Sequence, residues 1–257
     1  MGRLHELFAR KNRDVLNVYI TAGFPKMDST IAVMEALQSS GADLIELGMP
    51  YSDPLADGPV IQESSLQALA NGMTIEKLFE QLKGFRNKID VPVVLMGYMN
   101  PVLQFGFEKF CETAASVGVD GLILPDLPAF EFESHYGEII QKNGLDFIFL
   151  VTTETSEERV RKLDALSSGF LYAVSSSSTT GKEKDFNAVV NYLKRLEGYG
   201  LKNPILVGFG IKDRETFEAV TPYAAGAIIG SAFIKAVSEG EDPVKTTIAF
   251  VKNVLNK

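Results

Sequence analysis

Eight short apolar segments, separated by segments of helical periodicity, constrain the fold of this 257-residue chain more than any other feature. Most of them are nearly continuous in apolar residues, which is typical of parallel strands covered on both faces. The predicted strands are residues 16–23, 42–48, 91–98, 120–126, 146–152, 170–175, 204–210 and 226–233. Eight strand–helix units in about 250 residues indicate an α/β fold of the (β/α)8 TIM-barrel type.

Helical patterns lie between these strands, so strand and helix alternate along the chain. The predicted helices cover residues 28–41, 74–85, 107–118, 132–144, 156–167, 185–200, 213–223 and 242–255. No linker or low-complexity stretch divides the sequence. We therefore expect residues 1–257 to form a single TIM-barrel domain with an extra amphipathic helix at the N-terminus.

The connection between the second and third predicted strands, residues 49–90, is the longest in the chain. Barrels of this class build their active sites from the loops that follow the strands. We expect this enlarged connection to contribute to such a site.

Charge and hydropathy exclude two classes of partner. The chain has 33 Asp and Glu against 25 Lys and Arg, a formal net charge of -8. Nucleic acids and anionic membrane surfaces both select clustered positive charge, so we expect neither as a partner. The sequence has no apolar run of the ~20 residues that span a bilayer and no signal-peptide core. We expect a cytoplasmic protein.

Metal and disulfide chemistry are not predicted. Cys111 is the only cysteine and lies in a predicted helix, which favours a buried structural thiol. His5 and His135 also lie in helical segments, away from the predicted active-site face. Because no Cys or His spacing typical of a metal site is present, we expect no bound metal.

Glu46 places a carboxylate near the end of the apolar second strand. Successive strand side chains point to opposite faces, so Ile45 and Leu47 face the helices and Glu46 faces the barrel interior. A buried carboxylate without a partner costs several kcal/mol or rises in pKa. The structural alternative is an ion pair, but the predicted strands contain no Arg or Lys. We therefore expect Glu46 to be catalytic.

Two aspartates follow in the segment "PYSDPLADGP". Asp before Pro or Gly is ordinary turn chemistry, and for Asp53 we favour a role in shaping the loop. Asp57 lies in the same proline-stiffened loop, over a barrel mouth that already contains Glu46. Two carboxylates in different environments can supply an acid and a base at one pH, so we expect Asp57 to be catalytic as well.

Glycines in the last two loops predict a phosphate site. "VGFGIKD" ends the seventh predicted strand and "IIGSAF" ends the eighth. In barrels, these loops and a helix N-terminus commonly bind phosphate through backbone N–H groups. Gly210, Gly230 and Ser231 are the expected donors, although a pair of tight turns is the structural alternative.

The polar segment "SSSSTTGKEKD", residues 175–185, follows the sixth predicted strand. Its position favours a lid over the pocket rather than a disordered linker. From the residues alone, the chain is expected to be a barrel enzyme that acts on a small phosphate ester by acid/base chemistry.

The segment "ELGMPYSDPLADGP" resembles the signature of the tryptophan synthase alpha chain family. The resemblance continues through "ITAGFP", "QALANGMT", "GYMNPV", "LPDLP", "STTG", "VGFGI" and "GSAF", in the same order, over essentially the whole chain. It implies a lyase of L-tryptophan biosynthesis that cleaves indole-3-glycerol phosphate into indole and glyceraldehyde 3-phosphate by a retro-aldol reaction.

The resemblance also implies roles for particular residues. Glu46 and Asp57 match the catalytic pair, and Tyr172 and Thr180 match residues that contact the substrate or the catalytic aspartate. Tyr19 stands where an aromatic ring packs on the indole. The residues that match the phosphate site are Gly181, Gly210, Gly230 and Ser231.

The implied partner is a tryptophan synthase beta chain, in an alpha2-beta2 heterotetramer. Pyridoxal phosphate is expected only on that beta chain, so no cofactor is expected on this one. One departure concerns the lid, where Ser176, Ser178 and Thr179 replace the Arg, Gly and Val of the family pattern while Thr180 and Gly181 remain. The departure puts lid closure and coupling to the partner in question.

Two alternatives remain open at this point. One is another phosphate-sugar barrel enzyme, such as an isomerase or an enzyme that forms indole-glycerol phosphate. The other is a non-catalytic barrel that binds a phosphate ligand or activates a partner. Such a protein would need the glycine-rich loops but not Glu46 together with Asp57.

Overall fold

A computed structural model of the chain describes residues 2–175, 186–208 and 210–256. Its nine strands within those ranges are all parallel to their neighbours. They are β1 Val15–Thr21, β2 Leu44–Gly48, β3 Val93–Met96, β4 Gly121–Ile123, β5 Asp146–Phe147, β6 Leu150–Thr152, β7 Leu171–Val174, β8 Ile205–Gly208 and β9 Gly226–Ile229.

The sheet closes into a barrel through the predicted fifth strand, which forms as two pieces, β5 and β6. The strand order is β5-β4-β3-β2-β1-β9-β8-β7-β6, so these two pieces are the ends of the sheet. Ile148 N donates to Leu122 O at 3.0 Å, and Tyr172 N donates to Phe149 O at 3.0 Å. Residues 146–152 therefore bond to β4 on one side and to β7 on the other, which confirms the eight-stranded barrel.

The helices cover the outside of this barrel. In the described residues they are α1 Arg3–Arg10, α2 Ser29–Ser40, α3 Pro59–Ala70, α4 Ile75–Leu82, α5 Met99–Phe105, α6 Phe107–Val117, α7 Ala129–Glu131, α8 Gly137–Lys142, α9 Glu157–Leu166, α10 Phe186–Glu197, α11 Arg214–Val220, α12 Ser231–Glu239 and α13 Pro243–Leu255. A 3-10 turn, Phe85–Asn87, follows α4, and a π-helical turn, Phe132–Tyr136, joins α7 to α8. Within these ranges, no helix combines the length and apolar character needed to cross a membrane.

The enlarged second connection contains a helix that periodicity did not predict. α3 begins with Pro59 at its first position, where a missing N–H costs nothing and the fixed φ suits a helix. Its residues Ser64 and Ala68 are buried, and Ser64 Oγ lies 2.7 Å from Thr21 Oγ1 at the end of β1. The connection therefore returns to the barrel mouth before α4 begins.

One predicted strand extends into a helix. The eighth predicted strand, residues 226–233, ends at Ile229 in the structure, and Ser231 is the first residue of α12. The apolar run continues because Phe233 and Ile234 are buried on the inner side of that helix. Apolar content alone could not separate the strand from the helix that follows it.

The predicted N-terminal helix is confirmed as α1, which covers the N-terminal end of the barrel. Leu4 and Leu7 are buried, and the ring of Phe8 packs on Phe170 with centroids 6.2 Å apart. At the same end, the buried carboxylate of Asp120 accepts hydrogen bonds from Val93 N at 2.8 Å and from Arg86. This end of the barrel is thus closed by packing and ion pairing.

We expect Asp120→Ala to lower the free energy of unfolding by about 3 kcal/mol, because it leaves a partly buried Arg86 charge unpaired. Urea unfolding measures the change. Lys88→Ala, which removes an exposed ion pair with Glu35, is the control and should cost less than about 1 kcal/mol. Equal costs for the two variants would contradict this interpretation.

Candidate active site

Glu46 lies inside the barrel, as strand parity predicts. It pairs in register with Tyr19 of β1 and Val94 of β3, and its side chain is 1% exposed. Its partner is neutral rather than an Arg or Lys: Asn17 Nδ2 donates to Glu46 Oε2 at 3.0 Å.

Burial raises the pKa of Glu46 from its ordinary value of 4.5 to about 8. The hydrogen bond from Asn17 opposes this rise, and the negative charge of Asp57 adds to it. At neutral pH Glu46 is therefore mostly a carboxylic acid, which can deliver a proton.

Asp57 is held over the mouth by its own loop and by a neighbouring tyrosine. Asp57 N donates to Pro54 O at 3.1 Å, which closes a turn. The Tyr98 hydroxyl donates to Asp57 Oδ2 at 3.0 Å and accepts from Ala56 N at 3.0 Å. Burial raises the pKa of Asp57 to about 6, against the lowering effect of the Tyr98 hydrogen bond. Asp57 is therefore mostly ionised at neutral pH.

Tyr98 is a site residue that sequence reasoning missed. It lies two residues after the end of β3, and its ring lies beside that of Tyr51, with centroids 5.4 Å apart. Asn100 Nδ2 donates to the Tyr51 hydroxyl at 3.2 Å. The motif "GYMNPV" contains Tyr98 and follows a strand end, and that position was the available signal.

Tyr19 and Tyr172 are brought to the same interior. Both rings are buried, and burial raises the pKa of each hydroxyl well above its ordinary value. The charges of Glu46 and Asp57 contribute to both increases, which indicates that the four side chains share one pocket.

Two glycines at strand ends make room for these rings. A Cβ atom at Gly48 would lie 2.8 Å from Tyr19 Cε2, and a Cβ atom at Gly208 would lie 2.8 Å from Tyr172 Cζ. Each glycine is on the strand beside its tyrosine. A glycine in a strand often marks such a close approach, and this signal was not used in the sequence predictions.

The proposed phosphate residues follow two neighbouring strands. Gly210 follows β8 and adopts a positive φ of 93°. Gly230 follows β9 and directly precedes Ser231, the exposed first residue of α12. A Cβ atom at Gly230 would lie 3.5 Å from Tyr19 Cβ. The N-terminus of α12 is thus beside the pocket that contains the tyrosines.

Other candidate residues do not join the pocket or cannot be placed. Thr180 and Gly181, with most of the segment 175–185, lie outside the described residues. Asp53 is exposed, and its carboxylate accepts from Ser52 Oγ at 2.5 Å. Among the described residues, no group of three or more His, Cys, Asp or Glu could bind a metal ion.

Comparison with known proteins places this chain in a family. The model of a family described as "Tryptophan synthase alpha chain" matches residues 6–256. The chain belongs to the tryptophan synthase alpha chain family. A tryptophan synthase alpha chain of Bacteroides thetaiotaomicron is 47% identical over 249 residues, 96% of this chain and 97% of that protein. Another, of Christiangramia forsetii, is 49% identical over 99% of this chain and 98% of that protein.

The barrel of this family member also resembles solved structures of tryptophan synthase alpha chains. The alpha subunit of tryptophan synthase from Legionella pneumophila superposes with a TM-score of 0.91 at 34% identity, covering 100% of this chain and 98% of that one. This similarity confirms the TIM-barrel prediction independently of the strand pairing.

The raised pKa of Glu46 predicts a pH-dependent stability for this family member. A carboxyl whose pKa is higher in the folded state contributes stability that is complete at low pH and is lost as the pH rises through the folded value. As the pH rises from about 4.5 to about 8, the free energy of unfolding of the natural protein should fall relative to that of Glu46→Gln. The fall should be on the order of a few kcal/mol. Urea unfolding at several pH values measures this difference. A pH-independent difference would contradict it.

Proposed function

We propose that this chain cleaves indole-3-glycerol phosphate into indole and glyceraldehyde 3-phosphate, with Glu46 and Asp57 as the catalytic pair. The reaction is the alpha reaction of tryptophan synthase, and the family membership supports it. The observation that carries the assignment of residues is the difference between the two carboxyls, one mostly protonated and one mostly ionised at neutral pH. The chemistry requires one group of each kind.

The reaction breaks the bond between indole C3 and the adjacent carbinol carbon of the glycerol phosphate. Glu46 delivers a proton to C3, and the side-chain carboxylate then accepts the proton of the carbinol hydroxyl. The bonding electrons return to the indole ring as the carbinol becomes an aldehyde. Glu46 ends as it began, and no water or oxidant is consumed.

Asp57 acts at the ring nitrogen in this proposal. Protonation at C3 makes the indole N–H more acidic and positive, and an ionised carboxylate stabilises that charge or holds the proton until the ring is restored. The hydroxyl of Tyr98 keeps Asp57 oriented and favours its ionised form.

The remaining site residues bind the substrate. Tyr19 and Tyr172 provide apolar ring surface for the indole inside the barrel, and their neutral hydroxyls can donate hydrogen bonds. We assign the phosphate to the N–H groups around Gly210, Gly230 and Ser231, because the first N–H groups of a helix have no partner within the helix. The family resemblance adds Thr180 as a partner of the catalytic aspartate and Gly181 as a further phosphate-site residue; both lie outside the described residues.

The beta chain of tryptophan synthase is the protein partner, in an alpha2-beta2 complex. We infer that this chain itself needs no cofactor and that pyridoxal phosphate belongs to the beta chain. A biosynthetic enzyme with a phosphorylated substrate is expected in the cytoplasm. We also propose that residues 1–257 form one domain, since buried residues of both terminal helices, Leu4 and Val254, belong to one apolar core.

The alternatives explain fewer features. An enzyme that forms indole-glycerol phosphate is expected to have a catalytic lysine in the barrel, and the nine strands of the described residues contain none. An isomerase gives no reason for the enlarged second connection. A phosphate-binding barrel without activity gives no reason for burying Glu46, which destabilises the fold at neutral pH.

We expect Glu46→Gln to lower kcat for indole release by at least about 100-fold, because the amide cannot transfer the proton. Substrate should still bind, since the amide keeps the size of the side chain. The assay follows indole from indole-3-glycerol phosphate, with and without a beta chain, and the absence of Trp keeps the fluorescence background low. Glu80→Gln, on the exposed face of α4, is the control. Near-normal indole release by Glu46→Gln would reject the assignment.

We expect Ser231→Asp to raise KM for the substrate at least about 10-fold, because it places a negative charge against the phosphate. Ser238→Asp, at an exposed position near the other end of α12, is the matched control and should leave KM unchanged. Equal KM values for the two variants would place the phosphate elsewhere.

A further inference from the structure

Asn17 is a buried polar residue of β1 whose role the proposed reaction does not yet explain. Its side chain is 0% exposed, and in register it lies between Leu44 of β2 and Ile228 of β9. It shares a strand face with Tyr19, two residues on, so it points into the barrel. Its Nδ2 donates to Glu46 Oε2 at 3.0 Å.

The other end of this amide has no partner. Asn17 Oδ1 is buried and has no hydrogen bond within the described residues. Leaving such an acceptor unsatisfied costs about 1–3 kcal/mol. An apolar residue of similar size would avoid that cost, so the arrangement requires a reason.

The chemistry of Glu46 provides one. In the proposed reaction this carboxyl alternates between an acid, which has an O–H donor, and a carboxylate, which only accepts. A primary amide has both a donor and an acceptor, with nearly the same size and reach. A half-turn of the Asn17 amide about its Cβ–Cγ bond exchanges the two, so the amide can satisfy either form of Glu46.

We propose that Asn17 is a positioning residue for Glu46, donating through Nδ2 to the carboxylate and accepting at Oδ1 from the carboxylic acid. The inference rests on the proposed catalytic role of Glu46. The amide keeps the carboxyl at one place in the barrel while its proton is given up and regained. It does this without a fixed positive charge, which would hold Glu46 permanently in its ionised form.

Among the groups around Glu46, the charge of Asp57 acts on its pKa in the opposite direction to Asn17. Asp57 raises the pKa of Glu46 through its negative charge, whereas the hydrogen bond from Asn17 lowers it. Tyr19 and Tyr172 share the pocket with both carboxyls, and burial keeps their hydroxyls neutral. A hydrogen bond to the charged carboxylate is stronger than one from the neutral acid, so loss of Asn17 should move the titration of Glu46 to higher pH.

The test uses Asn17→Leu, which has a similar size but neither donor nor acceptor. In the indole-release assay, we expect kcat to fall at least about 10-fold with little change in KM. The limb of the pH profile that belongs to Glu46 should move up by at least about 0.5 pH unit. Asn203→Leu is the matched control, because Asn203 Nδ2 donates to Asp164 Oδ1 at 2.9 Å just before β8, at the opposite end of the barrel. It should leave the pH profile in place.

A second measurement does not depend on the activity of any variant. The side-chain amide signal of Asn17, assigned in 15N-labelled protein by its loss in an Asn17→Asp variant, should shift with pH at the midpoint of the Glu46 titration. A signal that stays constant through that titration, or an unmoved pH limb in Asn17→Leu, would overturn the inference. The catalytic proposal fails separately, if Glu46→Gln retains normal indole release.

Discussion

Burial of the Glu46 carboxyl inside a closed barrel is the interaction on which the rest of the site depends. A carboxylate at this depth, with a neutral amide rather than a cation beside it, is costly to ionise. The side chain therefore keeps its proton to about pH 8. Closure of the sheet through residues 146–152 excludes solvent from the interior, and the absence of a Cβ atom at Gly48 and Gly208 leaves space there for two tyrosine rings.

The second carboxyl differs because another kind of element holds it. Asp57 lies in a loop, partly exposed, with a hydroxyl donor from Tyr98. Its pKa of about 6 leaves it ionised where Glu46 is not. A strand and a loop that follows it thus supply an acid and a base at one mouth. The loop that contains Asp57 belongs to the enlarged second connection. The packing of α3 against the end of β1 positions this loop over the barrel mouth.

The sequence predicted those features that depend on local patterns. Continuous apolar runs indicated parallel strands, their number indicated the barrel, and strand parity turned Glu46 inward. The features it missed are contacts between distant segments, such as Tyr98 with Asp57, 41 residues apart, and Asn17 with Glu46, 29 residues apart. Such pairs depend on how distant segments pack against each other, which no local pattern specifies. The predicted end of the eighth strand was wrong because Phe233 is buried, and a buried position is apolar in a helix as well as in a strand.

The most direct test of this account is a carboxyl titration of the unliganded protein by 13C NMR. The Glu46 signal is identified by its loss in Glu46→Gln, and the Asp57 signal by its loss in Asp57→Asn. The account predicts midpoints of about 8 for Glu46 and about 6 for Asp57. A Glu46 midpoint near its ordinary value of 4.5 would contradict it, because the two carboxyls would then both be ionised at neutral pH and neither could serve as the acid.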